Sequence, residues 1–240
     1  MVMRILICAA EQEELDCAIQ ALRLYESKIA GKAQVDFMLT GIGTTSACYR
    51  ITKKIVEAQA EGNGYSLALN IGIAGSYDLE KFPIGSTALV EKEYFGDLGF
   101  MTASGFQTLF DSKTLDANLF PFKDGALEML PLPEYFNDIA NTFKKGTGVT
   151  VQTVTGGESM CRKIVEKYSP HIETMEGAGF FYVCLNEYVK FMELRSVSNK
   201  VGEEDTGKWD TPKALEALKE ALKEFFRQFV ENQHKGQAVS

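Results

Sequence analysis

No stretch of the 240-residue sequence reaches the roughly 18 consecutive apolar residues that a bilayer-spanning helix requires. The opening run Met1 to Ala10 superficially resembles a signal peptide but stops at Glu11, before a full apolar region forms. It is expected to be a buried first strand. Positive charge is scarce: 25 Lys and Arg stand against 33 Asp and Glu, a net charge of −8. That balance excludes the basic footprint of a protein that binds nucleic acid or anionic lipid. Cysteine pairing is missing too. Cys8, Cys17, Cys48, Cys161 and Cys184 are odd in number and without CxxC spacing, which excludes a disulfide framework and a zinc site and fits reduced thiols in a cytoplasm. Internal repeats, low-complexity stretches and linkers are absent, so one α/β domain is expected over residues 1–233, with 234–240 as a frayed tail.

What is present is an ordinary globular chain. Hydrophobic residues make up 45% and charged residues 24%, enough for a substantial core and against wholesale disorder. Periodicity predicts strands at Arg4–Ala9, Val35–Leu39, Leu67–Ile71, Ser86–Tyr94, Gly148–Val154 and Lys190–Val197. Helices are predicted at Glu13–Ala30, Thr44–Glu61, Cys161–Tyr168, Gly179–Glu187 and Pro212–Gln233. Thr40-Gly41-Ile42-Gly43 and Gly72-Ile73-Ala74-Gly75 are read as loops at strand ends, where open α/β sheets place their ligands. The segment from Phe95 to Pro133 reads as either a mobile substrate loop or a buried hairpin.

Four places carry candidate chemistry, each with a plainer alternative. Glu11, Glu13 and Glu14 cluster where a helix begins, a position that favours carboxylates through the helix dipole alone and also suits a catalytic carboxylate. The turn at Thr155-Gly156-Gly157-Glu158-Ser159 can cradle an anion or simply cap a helix. In Glu173-Thr174-Met175-Glu176-Gly177, a glutamate can accept two hydrogen bonds from a vicinal diol and a thioether can pack on a sugar or base. The same residues would serve as a helix cap and core filler. Asn199, in Ser198-Asn199-Lys200-Val201-Gly202, offers a donor and an acceptor to a purine edge, or forms a turn.

Taken in order with Ala9-Ala10-Glu11-Gln12-Glu13-Glu14, Thr40-Gly41-Ile42-Gly43 and Asn70-Ile71-Gly72-Ile73-Ala74-Gly75-Ser76, these segments resemble the nucleoside phosphorylase/nucleosidase superfamily and, within it, the futalosine hydrolases. The resemblance runs from Ile5 to the helix near Pro212. It implies a single-domain three-layer αβα sandwich around a mixed, partly barrel-like β-sheet. It implies that Glu14 holds and deprotonates the attacking water, that Met175 packs against the nucleoside and that Glu176 binds the ribose 2′ and 3′ hydroxyls. Ile73, Gly75 and Thr155 are expected to contact the substrate. Asn199 stands where adenosine-type nucleosidases of the superfamily carry an Asp. Asn cannot release a proton to N7 but can stabilise charge on a departing 6-oxopurine by hydrogen bonding, which favours hypoxanthine over adenine.

The superfamily's phosphorylases hold phosphate with arginines near the first and third strands. Here both segments lack arginine, so water is the better nucleophile. The resemblance thus implies hydrolysis of futalosine on the route to menaquinone, without metal or organic cofactor, by a homo-oligomer in the cytoplasm. Phe95, Phe100, Phe106 and Phe110 are candidates for an apolar 5′ pocket, or for core. The competing readings are a methylthioadenosine/S-adenosylhomocysteine nucleosidase, a purine nucleoside phosphorylase, and a non-catalytic nucleoside-binding protein.

Overall fold

Residues 5–9 and 67–69 are buried throughout, and they read accordingly as unbroken apolar runs, the pattern of strands covered on both faces. A computed structural model describes residues 2–103, 105–203 and 205–237. In strand β1 (Met3–Ala9), Ile5, Ile7 and Ala9 face one helical layer while Leu6 and Cys8 face the other. Strand β3 (Leu67–Ser76) repeats the division, with Leu67, Leu69 and Ile71 against Ala68. The first layer is built from α1 (Gln12–Arg23), α4 (Glu134–Ala140) and α7 (Thr211–Gln237), closed by Leu218, Leu222, Phe225, Phe226 and Phe229. The second is α3 (Thr44–Ala60) on α6 (Gly177–Asn186). This is the expected αβα sandwich. Residues 238–240 of the expected tail lie outside the described residues, and the backbone of α7 continues through Gln237. No helix among the described residues is long and apolar enough to cross a membrane.

The main sheet runs β10-β4-β8-β9-β3-β1-β2, with β2 at Ala33–Leu39, β4 at Thr87–Phe95, β8 at Lys144–Thr150, β9 at Ile172–Thr174 and β10 at Phe191–Lys200. A further pairing of β10 with β3 closes β3, β10, β4, β8 and β9 into a ring. Three of its pairs are parallel, and β10–β4 and β3–β9 are antiparallel. The sheet is therefore mixed and partly a barrel, as expected.

Several boundaries differ from the sequence reading. The helix expected over Glu13–Ala30 is two pieces, α1 and a single turn α2 (Glu26–Ile29). The chain leaves helical geometry at Tyr25, which packs on the first core while Leu24 stays in solvent. Strand β8 begins at Lys144, not Gly148, and ends at Thr150. Its glycines hide it from a propensity reading but make room for neighbours: a Cβ on Gly146 would crowd Phe82, and one on Gly148 would strike the Glu93 carboxylate.

The expected loop Gly72–Gly75 is not a loop; β3 continues straight through it to Ser76. The segment after Phe95 forms a surface hairpin, β5 (Gly99–Thr102) with β6 (Gly105–Thr108), followed by β7 (Ala126–Glu128) on the edge of β4. It is a hairpin as one of the two readings had it, but on the surface and not buried, and Met101 in it is 75% exposed. The last α-layer element outside the core is α5 (Glu158–Tyr168), entered from Gly157 at φ 71°.

Candidate active site

Strand β1 ends at Ala9, and the chain turns directly into α1, so the first-turn carboxylates stand at the rim of the sheet. Glu14 is buried there. Its Oε2 accepts the N–H groups of Ala10 and Glu11, each at 3.1 Å. Its Oε1 accepts the N–H of Ile73 from β3 at 2.9 Å. Glu14 thus closes the start of its own helix, as the plainer reading of the acidic cluster expects, and also reaches across to the third strand. Burial pushes its carboxyl above the ordinary glutamate range, with Glu176 adding to the rise; Arg195 and the Ile73 and Glu11 amides pull the other way without cancelling it.

Glu176 stands at the N-terminal end of α6. Its Oε1 accepts the N–H of Gly43 at 2.8 Å, and the hydroxyl of Thr44 donates to the Met175 carbonyl at 3.0 Å. The Thr40–Gly43 segment is in this way fastened to the Met175–Glu176 turn. Arg195, on β10, places Nη2 3.6 Å from Glu176 Oε2 and donates from Nε to Glu193 at 2.7 Å. It is fully buried. Burial disfavours its charge, but Glu193, Glu176 and Glu14 around it outweigh that cost and hold the guanidinium protonated.

Gly72 explains how these groups pack together. A Cβ at this position would lie 2.7 Å from Glu14 Oε1 and would collide with Arg195 Nη1. The glycine is there for close approach of two side chains to the backbone and not for a turn.

Asn199 lies at the end of β10. Its Oδ1 accepts from the Ser198 hydroxyl at 2.7 Å and its Nδ2 donates to the Lys200 carbonyl at 3.0 Å. The carbonyl and hydroxyl together set which way the amide faces, leaving the second N–H of Nδ2 uncommitted. Glu173, on β9, accepts from the Tyr77 hydroxyl and from the Thr155 N–H, the latter at 3.0 Å.

One cavity of about 170 Å³ collects these residues: Glu14, Ile73, Gly75, Met175, Glu176 and Asn199 all line it. Of the substrate-contact residues expected from sequence, Thr155 stands one step back, behind Glu173. The cavity also takes in Glu173, which the sequence reading placed in a candidate segment without a role of its own, and Trp209, which it did not single out, with Ile42 and Val154 at its sides. Arg195 was missed as well, although two charged residues inside the apolar run Phe191–Val197 were a visible signal that buried charge has a partner. None of Phe95, Phe100, Phe106 and Phe110 lines the cavity. Phe95 and Phe110 pack on Phe122, and Phe100 is 41% exposed. A wider cleft of about 490 Å³ elsewhere is lined by Lys92, Glu128, Lys145 and Glu91. These already pair with one another, and no sequence-predicted site residue reaches it.

A mixed, partly barrel-like sheet between helical layers is a fold that this chain shares with solved nucleosidases. The methylthioadenosine/S-adenosylhomocysteine nucleosidase of Colwellia psychrerythraea, solved with adenine, superposes with a TM-score of 0.72 over 95% of this chain and 96% of its own, at 17% identity. The futalosine hydrolase of Helicobacter pylori gives 0.71 over 94% and 97%, at 18% identity. No protein-family model matches the sequence. The futalosine hydrolase of Thermus thermophilus is 30% identical over 190 residues, 78% of this chain and 79% of its own. That of Streptomyces coelicolor is also 30% identical, over 78% and 76%. The chain belongs to the futalosine hydrolase family.

Proposed function

We propose that this protein hydrolyses the N-glycosidic bond of futalosine, releasing hypoxanthine and dehypoxanthine futalosine. The observation that carries the reading is the meeting of Glu14, Glu176 and Asn199 around one cavity in a chain of this family. Water attacks C1′ of the ribose and passes its proton to Glu14, whose raised affinity for protons suits a general base. The C1′–N9 bond breaks with its electron pair going to the base, through an oxocarbenium-like sugar by analogy with glycoside hydrolysis. Glu176 accepts hydrogen bonds from the ribose diol, and Met175 packs on the nucleoside. The free N–H of Asn199 stabilises the negative charge that develops on the 6-oxopurine.

Water is favoured over phosphate as the nucleophile by the charge of the cavity, where Glu11, Glu14, Glu173 and Glu176 stand together. The nearby arginine, Arg195, is already engaged by Glu193 and Glu176. The resemblance also carries a homo-oligomeric state and a cytoplasmic location, which sedimentation and cell fractionation would test.

The decisive assay is base release from futalosine, inosine and methylthioadenosine, with and without phosphate, followed by chromatography. Phosphate-independent hypoxanthine from futalosine, with the other two slow, is the expected result. Adenine from methylthioadenosine would move the assignment to the adenosine-type nucleosidases. A strict phosphate requirement would make the protein a phosphorylase.

A further inference from the structure

Arg195 is fully buried, and its Nη2 has no hydrogen-bond partner among the described residues. A buried donor left unpaired is costly and calls for a reason. A carboxylate stands close by, but Glu176 Oε2 at 3.6 Å lies beyond hydrogen-bond length. Nη1 stands beside Glu14 Oε1, since both crowd the point above Gly72 that a Cβ would fill. A free guanidinium between two carboxylates would swing onto one of them as a bidentate pair, the strongest geometry open to it. This one is held back from both.

What restrains it lies at the other end of the fork. Nε donates to Glu193 Oε1 at 2.7 Å, and Asn70 Nδ2 donates to the same oxygen at 3.0 Å. The sheet register makes the arrangement: Glu193 of β10 pairs with Asn70 of β3, and Arg195, two residues on, pairs with Gly72. Residues two apart on a strand share a face. Carboxylate, amide and guanidinium therefore lie together, and the bare Gly72 leaves room for the fork. A guanidinium is planar and rigid, so a bond at Nε fixes where Nη1 and Nη2 point. Asn70 in turn fixes Glu193, which is itself fully buried.

We infer that Glu193 is a positioning residue: with Asn70 it holds the guanidinium of Arg195 back from Glu14 and Glu176, leaving the first free to take a proton and the second free to receive the ribose diol. This rests on the proposed roles of those two carboxylates. A fork closed on Glu176 would occupy the lone pairs that the diol needs. Closed on Glu14, it would favour the ionised form and weaken the base. Glu193 also sets its own negative charge against the guanidinium in the same dry interior, which limits the pull of Arg195 on Glu14.

The test is the pH dependence of kcat/KM for futalosine in the wild type and in Glu193→Gln, which keeps the size of the side chain but not its charge. Arg195 should then move toward Glu14 and Glu176. The acid limb should shift to lower pH by on the order of one unit, and KM should rise severalfold. A residue that only supports the fold would lower activity alike at every pH. A folded Glu193→Gln protein whose acid limb stays at the wild-type position would therefore overturn the inference. Should that variant not fold, Asn70→Ser carries the test, because it releases the Glu193 carboxylate without removing its charge. The limb should move in the same direction, and an unmoved limb would again overturn the inference. Absence of hypoxanthine release by the wild type would count against the functional reading, whereas an unmoved limb in an active variant counts against the role of Glu193 alone.

Discussion

A general base works only while ionised and gains strength from a pKa near the working pH. Glu14 is buried against two peptide N–H groups on one oxygen and a third on the other, and its proton affinity is nevertheless raised. The rate should therefore fall as pH drops through its pKa, with the acid limb of kcat/KM centred above the ordinary value of 4.5. Glu14→Gln should abolish that limb and lower turnover by about 10²–10⁴ while hypoxanthine still binds; near-normal turnover would remove Glu14 from the base role. Asn199→Asp supplies a group that can protonate N7 and accept from a 6-amino group. The ratio of kcat/KM for adenosine-type over inosine-type nucleosides should rise, and an unchanged ratio would place base selection elsewhere.

At the scale of elements, β3 is where the sheet gives way to chemistry. Its glycines are not punctuation, because the strand continues through them. Gly72→Ala would force a methyl into the space of Glu14 and Arg195. Overpacking of this kind costs about 1–3 kcal/mol, so urea unfolding should show that loss together with reduced turnover.

A second consequence follows from the polar contacts spanning the ring. Glu93 on β4 accepts from the Thr150 hydroxyl at 2.9 Å, and Glu193 on β10 accepts from Asn70 at 3.0 Å. Burial, and then the charge of Glu193, raise the Glu93 carboxyl well above the usual range. A carboxyl raised in the folded state contributes stability below its unfolded pKa and loses that contribution as pH climbs to the folded value. Glu93→Gln cannot titrate. Relative to wild type its unfolding free energy should gain by up to about 1.4 kcal/mol per pH unit above the unfolded pKa. Melts at pH 5 and pH 8 would show it, and a pH-independent difference would mean that Glu93 is ionised in the folded protein.

Taken whole, the molecule packs two apolar layers against strands that they share, and the cavity opens where those strands end. A ligand bound there stabilises the complete assembly by mass action. Hypoxanthine at a hundred times its Kd should raise the unfolding free energy by about 2.7 kcal/mol. Trp209, the single tryptophan of the sequence, lines this cavity. Its fluorescence should titrate with hypoxanthine at the affinity that the stabilisation implies, whereas a thermal shift with silent fluorescence would put the ligand elsewhere.

Much of this protein could be read from local pattern. The apolar runs of β1, β3 and β10, the amphipathic α7, and the placing of Glu14, Met175, Glu176 and Asn199 at element ends depend on spacings of a few residues, and side-chain period reveals those directly. Strand β8 was misplaced because Lys144-Lys145-Gly146-Thr147-Gly148 has no β signature of its own; it is held by β4 and by the room its glycines leave for Phe82 and Glu93. Arg195 beside Glu14 and Glu176, and Glu193 paired with Asn70, belong to the tertiary structure alone. Both depend on sheet register between segments far apart in the chain, and a shift of one residue in that register would turn each of these side chains to the other face.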